Sequence, residues 1–281
     1  MMPAVGAYCD DPPPFTITPD DDTTYKAVGT QVVFQGECYG TGAHVLQLTI
    51  SGGLTGVEEV IDGNKITKSG DADTPDSYTV SGKCTAHECS AEVTLKISDV
   101  TGLTVSGATL INGKYYVAKG DDAPEITATI AGDIPPDFVN WSGATQDPED
   151  QTRATRSTAT AGECTVECWL DGQPNDQEDS AKESVTIVVV GVKNVQISAN
   201  GTWHNVDGTP TEVLLKGTKY TFKAIPDPQN AEWPSGMPEW SCDPDLFGAV
   251  PGTETVNATF AYGPGDGETI TAVCGTSSVR L

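Results

Sequence analysis

Apolar and polar positions alternate along this chain in short runs that never settle into a 3.6-residue period. Val32 and Phe34, then Tyr220, Phe222 and Ala224, stand two apart between polar neighbours, and Ile126, Ala128 and Ile130 repeat the pattern more loosely. Such spacing predicts strands with one buried face. The densest apolar run, Val185-Thr186-Ile187-Val188-Val189-Val190, is far short of the roughly 18 residues that a bilayer span needs. Leu, Ala, Glu, Lys and Met nowhere accumulate at helical spacing, so the chain reads as all-β.

The strands recur in three copies. A short β-branched strand opens each: Thr16-Ile17-Thr18, Thr104-Val105-Ser106 and Gln196-Ile197-Ser198. A glycine turn follows, at Gly29, Gly120 and Gly217, and these turns are 91 and 97 residues apart. Beyond each turn come Ile50-Ser51-Gly52, Trp141-Ser142-Gly143 and Trp240-Ser241-Cys242, then a strand opened by Gly82, Gly162 or Gly267. A closing strand ends each copy, at Val93 to Ile97, Val185 to Val188 and Val279 to Leu281. The period matches a sandwich of about 100 residues and seven strands. The expected organisation is an N-terminal arm over 1–14 and three domains over 15–99, 100–191 and 192–281. Near Asp99-Val100 and Gly191-Val192 one copy runs into the next with almost no linker, which favours a semi-rigid rod over a flexible string.

The Gly-Thr turns (Gly29-Thr30, Gly217-Thr218), the Trp-Ser pairs (Trp141-Ser142, Trp240-Ser241) and the Val-Thr-rich closing strands give the chain a likeness to a known group. It resembles the bacterial Ig-like (Big-type) domains that occur in tandem on surface proteins, adhesins and some phage virion proteins. The resemblance implies three tandem immunoglobulin-like β-sandwiches acting as spacers or assembly modules, and it brings no catalytic residues. Ile50 departs from it, standing where the other copies have Trp.

In such sandwiches the second and sixth strands often share a disulfide. Cys38 continues the inward set Val32, Phe34, Gly36, and either Cys84 or Cys89 is its expected partner; in the third copy Cys242 is expected to pair with Cys274. The second copy is different. Cys164 and Cys168 lie on one predicted strand, about 13 Å apart, beyond the reach of about 7 Å that a disulfide allows. A bulge or tight turn that joins them, free thiols acting as small hydrophobes, and bonds outside their own domain all remain open. Cys9, on the Pro-rich arm, is the candidate partner in the third case and points to covalent links between chains. The short last strand offers a second means of assembly, addition of an extended segment at its edge.

Composition narrows the function. With 15 basic against 40 acidic residues, a formal charge of −25, the chain has no basic patch for nucleic acid or anionic lipid. His44, His87 and His204 occupy unrelated places in the repeat, and no nucleophile elbow, P-loop or zinc-protease pattern occurs, so no enzyme is expected. Cys84, His87 and Cys89 are near enough for soft-metal ligation, but strand parity opposes it. Asp20, Asp21, Asp22, Asp121 and Asp122 are weak Ca²⁺ candidates without a calcium-loop signature. Tyr115, Tyr116, Trp169, Trp203 and Trp233 are scattered candidates for a sugar platform, while Trp141 and Trp240 are assigned to cores. Asn140, Asn200 and Asn257 match the glycosylation acceptor pattern.

Eight cysteines suggest an oxidising, extracellular location, although the first nine residues have neither the basic nor the apolar region of a signal peptide. The expected function is therefore a non-enzymatic stalk, adhesin segment or filament subunit, with itself or a surface receptor or glycan as partner. A carbohydrate-binding module and a phage virion decoration protein are the alternatives.

Overall fold

The computed structural model describes residues 15–19, 25–39, 45–85, 89–132, 138–171, 181–206, 217–243, 251–259 and 269–280. The first repeat contributes β1 (Phe15–Pro19), β2 (Tyr25–Ala27), β3 (Gln31–Cys38), β4 (Leu46–Ser51), β5 (Thr55–Asp62), β6 (Lys65–Asp71), β7 (Asp76–Cys84) and the start of β8 (Cys89–Ser106). The second contributes β9 (Thr109–Ile111), β10 (Lys114–Ala118), β11 (Glu125–Ala131), β12 (Val139–Ser142), β13 (Thr145–Gln146), β14 (Arg153–Thr155), β15 (Gly162–Leu170) and the start of β16 (Glu183–Ser198). In the third come β17 (His204–Val206), β18 (Lys219–Asp227), β19 (Glu239–Asp243), β20 (Thr255–Thr259), β21 (Thr269–Cys274) and β22 (Ser277–Arg280).

The same pairing scheme recurs. In the first repeat β1-β3-β6-β5 form one sheet, and β4-β7-β8 the other, with β2 added parallel to β8. In the second, β8-β11-β14-β13 answer the first set and β12-β15-β16 the second, with β10 parallel to β16. The third repeats it with β16-β18-β20 and β19-β21-β22. These are tandem Ig-like β-sandwiches.

Two strands belong to both neighbours. β8 runs unbroken for 18 residues, pairing with β7 over Cys89–Ile97 and with β11 over Asp99–Ser106. β16 runs for 16, pairing with β15 up to Val189 and with β18 from Gly191 onward. Where the sequence leaves a short joint, the backbone thus has a continuous strand, and one sheet of each repeat passes into the opposite sheet of the next.

Alternation explains the cores. On β3, Val32, Phe34, Gly36 and Cys38 are buried between exposed Gln31 and Gln35. Gly36 and Gly82 leave the space that the fully buried Phe15 ring occupies; a Cβ at Gly36 would come within 2.6 Å of that ring, and one at Gly82 would also collide with it. On β18 the buried set is Tyr220, Phe222, Ala224 and Pro226. Trp240 is wholly buried in the third repeat and its indole N–H donates to the Thr253 carbonyl at 2.8 Å. Trp141 is half-buried and donates in the same way to Gln151, also at 2.8 Å. Ile50 packs from its half-buried position against the first core.

Candidate functional site

The cysteines were the positions where the sequence concentrated its chemistry, and the three repeats use them differently. Cys38 ends β3 and Cys84 ends β7, so their disulfide joins the two sheets of the first repeat; the Cα atoms are 6.2 Å apart and 46 residues separate them. Between the two candidates for Cys38, the partner is Cys84. Cys89 sits opposite Cys84 across the β7–β8 hairpin and is itself disulfide-bonded. Antiparallel pairing of β7 with β8 overrides the single-strand parity expected for this segment: both cysteines are buried, and both are committed to disulfides rather than available as metal thiolates. Cys9, His44 and His87 lie outside the described residues.

The expected Cys242–Cys274 bond is not formed, and Cys274 is a free thiol. Register gives the reason. Cys242 lies opposite Ile270, and Cys274 is four residues farther along the neighbouring strand, pairing with Ser277. Sharing a sheet and an inward face does not bring side chains together when the offset is about 13 Å.

Cys164 and Cys168 are also free, and no bulge joins them. They lie on the same face of β15, opposite Ile187 and Glu183. Cys164 is half-buried with its sulfur 3.6 Å from the Gly143 carbonyl oxygen. Cys168 is fully buried, and desolvation pushes its thiol up to about 12. Cys274 is raised equally, to about 12, first by burial and then by the charge of Asp121, while its Sγ donates to the Val190 carbonyl at 3.1 Å. At neutral pH both are protonated, so neither is a ready nucleophile.

What these two buried thiols share is position: each sits where repeats meet. Cys168 packs with Leu170, Val139, Ala128 and Val100 around Ala27 of the first repeat. Cys274 belongs to a cluster that runs from Tyr116, Ala118 and Val188 of the second repeat to Trp240 and Phe222 of the third. The second passage has further ties. Thr276 N–H donates to the Lys119 carbonyl at 2.6 Å, Val192 N–H donates to Ser277 Oγ at 3.0 Å, and Ser235 N–H donates to Thr109 Oγ1 at 3.2 Å. Gly275 makes the closest approach possible: its φ is +57° and a Cβ there would strike the Lys119 carbonyl oxygen.

The first passage is more polar. Ser98 is fully buried and its hydroxyl has no hydrogen-bond partner among the described residues; Lys26, opposite Ile97, is almost fully buried too. Asp99 is half-buried, and its carboxyl is held above the usual range, chiefly by desolvation, against the pull of the Val100 N–H. Nothing in the hydropathy pattern marks Lys26 or Ser98 as buried; Gly132 of the second repeat lies against Ser98.

The remaining candidates separate. Tyr116 is buried in the cluster at the second passage with Trp233 packed against it, Tyr115 packs against a separate cluster around Val117 and Ile187, and the Trp169 ring is covered by Lys182 with its ammonium 4.3 Å from the centroid. Trp203 is exposed alone, so these aromatics form no common platform. Asp20, Asp21 and Asp22 lie outside the described residues; Asp121 and Asp122 are exposed or nearly so. No group of three His, Cys, Asp or Glu gathers to hold a metal among the described residues. No helix among them is long and apolar enough to cross a membrane.

No family model matches the chain, and no curated protein does. Among solved structures, it is similar to a three-Ig I-band fragment of titin, I67–I69, at 13% identity over 97% of both chains with a TM-score of 0.38. It is also similar to the C-terminal 282-residue fragment of intimin, solved with the intimin-binding domain of its translocated receptor, at 14% identity over 63% of this chain and 66% of that one, TM-score 0.38. A third likeness is to domains 5–6 of the S-layer protein SbsC, at 14% identity over 62% of this chain and 97% of that one, TM-score 0.24. The sandwich assignment stands on the strand ladders themselves. The chain is a disulfide-containing, tandem Ig-like β-sandwich protein with no catalytic constellation among its described residues.

Proposed function

We propose that this is an extracellular structural protein: a semi-rigid rod with domains over 15–99, 100–191 and 192–281 and an arm over 1–14, serving as a surface stalk, adhesin segment or filament subunit. The observation that supports this most is the sharing of β8 and β16, each of which closes one sandwich and opens the next. Bending at either passage would break ladder hydrogen bonds and separate buried side chains, whereas a linker would bend freely. The disulfides suit an oxidising compartment.

Solution X-ray scattering of the whole chain tests the rod: one extended conformer should fit the profile, and a fit that requires an ensemble of bent forms would refute it. End-to-end linkage through Cys9 is tested separately by non-reducing electrophoresis. A ladder that collapses with reductant supports linkage, and a lone monomer band at every concentration excludes it.

A further inference from the structure

A polar groove of about 480 Å³ lies on the third repeat, beyond the passage from the second. Its floor is β16, β17 and β18, and its wall is the segment after β18 that carries Gln229, Asn230 and Trp233. The floor is shaped by a bulge: pairing between β16 and β18 slips between Val192 and Asn194, which brings Asn194 opposite Ile225. The carboxamide oxygen of Asn194 is buried and no donor among the described residues reaches it. Buried acceptors without partners are rare, and this one belongs to a residue that lines the groove.

The lining is unusual for this chain in two ways. First, it is rich in carboxamides: besides Asn194, Gln229 and Asn230, there are Gln196 and Asn205, opposite each other across the ladder, with Gln196 Nε2 donating to Asn205 Oδ1 at 2.9 Å. That bond leaves the Gln196 oxygen and the Asn205 amide hydrogens for a ligand. Second, its charges cancel. Lys193 and Lys223 line it together with Glu232 and Glu254, and Lys223 pairs with Glu254 at 3.1 Å, in a protein whose acidic residues outnumber the basic ones by 40 to 15.

We infer that the groove binds a neutral oligosaccharide. A carboxamide both donates and accepts, as a sugar hydroxyl does, and a row of them matches a row of hydroxyls without selecting for charge. Trp233 packs on the core and also lines the groove, offering a ring on which a pyranose stacks. The volume is within the usual range of small-ligand sites. A phosphorylated or sulfated ligand would meet Glu232 and Glu254 as well as the lysines, and a cationic peptide would meet Lys193. This site supplies a ligand class for the adhesin reading of the proposed function, but it does not depend on the rod.

The test is an NMR titration of the full-length, isotope-labelled chain with maltohexaose, cellohexaose, xylohexaose and chitohexaose, with sulfated dextran and a lysine-rich peptide as charged probes. At least one neutral probe should shift the side-chain amides of Asn194, Gln196 and Asn205 and the Trp233 indole at millimolar concentration. Q196A together with N205A should weaken that binding about tenfold or more; both residues lie on a ladder rather than in the core, so the fold persists. W233A should weaken it further. The proposal fails if no neutral probe moves these resonances, if only a charged probe does, or if Q196A/N205A leaves the affinity unchanged. X-ray scattering of Q196A/N205A should match the parent, so failure of the groove and failure of the rod are read separately.

Discussion

Across the parallel ladder from Ala27, at the first passage between repeats, stands Ser98; across from Ala118, at the second, stands Val190. The backbone is the same at both. Val28 N–H donates to the Ser98 carbonyl at 2.9 Å, and Lys119 N–H donates to the Val190 carbonyl at 2.8 Å. The side chains differ in kind. The second passage buries Val188, Val190, Val192 and Cys274 in one apolar cluster, while the first buries Ser98, Lys26 and part of Asp99 beside a smaller one. Ladder hydrogen bonds are common to both, so the difference lies in burial and in the further bonds that Thr276, Ser277 and Ser235 make at the second. The second passage is expected to couple its repeats more tightly.

Exchanging the two side chains would break this comparison most directly. V190S removes apolar volume from a filled cluster and buries a hydroxyl, a cost of about 2–3 kcal/mol. Calorimetry should show the transitions of the second and third repeats moving apart. If they still melt as one unit, apolar packing is not what couples them.

The buried thiols sharpen the comparison. Cys168 and Cys274 are both fully buried, but among the described residues only Cys274 has an acceptor, the Val190 carbonyl. C168S places a hydroxyl among apolar neighbours and should cost about 1–2 kcal/mol, whereas C274S keeps a donor in place and should cost less than about 1 kcal/mol. Urea titrations of the two variants check the order. The reverse of V190S comes next: S98V replaces a buried, unpartnered hydroxyl and should stabilise the first passage by about 1 kcal/mol, read as a rise in its urea midpoint. A loss of stability would mean that the site is too tightly packed for the added methyl, Gly132 already lying against Ser98.

Much of this architecture was legible because it is periodic. Inward faces such as Val32-Phe34-Gly36-Cys38 follow from alternation alone, and the glycine turns carried the repeat. Register was not legible, and register decided the cysteines: Cys242 and Cys274 share a sheet yet lie four residues out of step, while Cys84 and Cys89 stand opposite each other because they lie on two antiparallel strands rather than one. The groove escaped for a related reason. Its carboxamides come from β16, β17 and the segment after β18, and pairing and register bring them together, including the slip at Val192–Asn194.

Asp99 gives the smallest effect and the only one that depends on pH. Burial raises its folded-state pKa above the ordinary value of 3.8, so the folded state binds this proton more tightly than the unfolded state does. At neutral pH the carboxylate is ionised in a site that disfavours charge, and Glu183 nearby adds to the penalty. The stability withheld there returns as pH falls through the raised pKa, and the recovery is complete once pH is below 3.8. D99N removes the penalty at every pH. Its advantage over the parent should therefore be constant at neutral pH and shrink steadily as the solution is acidified through that window. The other acidic residues relax their mutual repulsion over the same range, but they do so in both proteins and cancel in the difference. Two urea-midpoint curves that stay parallel from neutral to acid pH would show that Asp99 is solvated in the folded chain and that the first passage is weak for its apolar deficit alone.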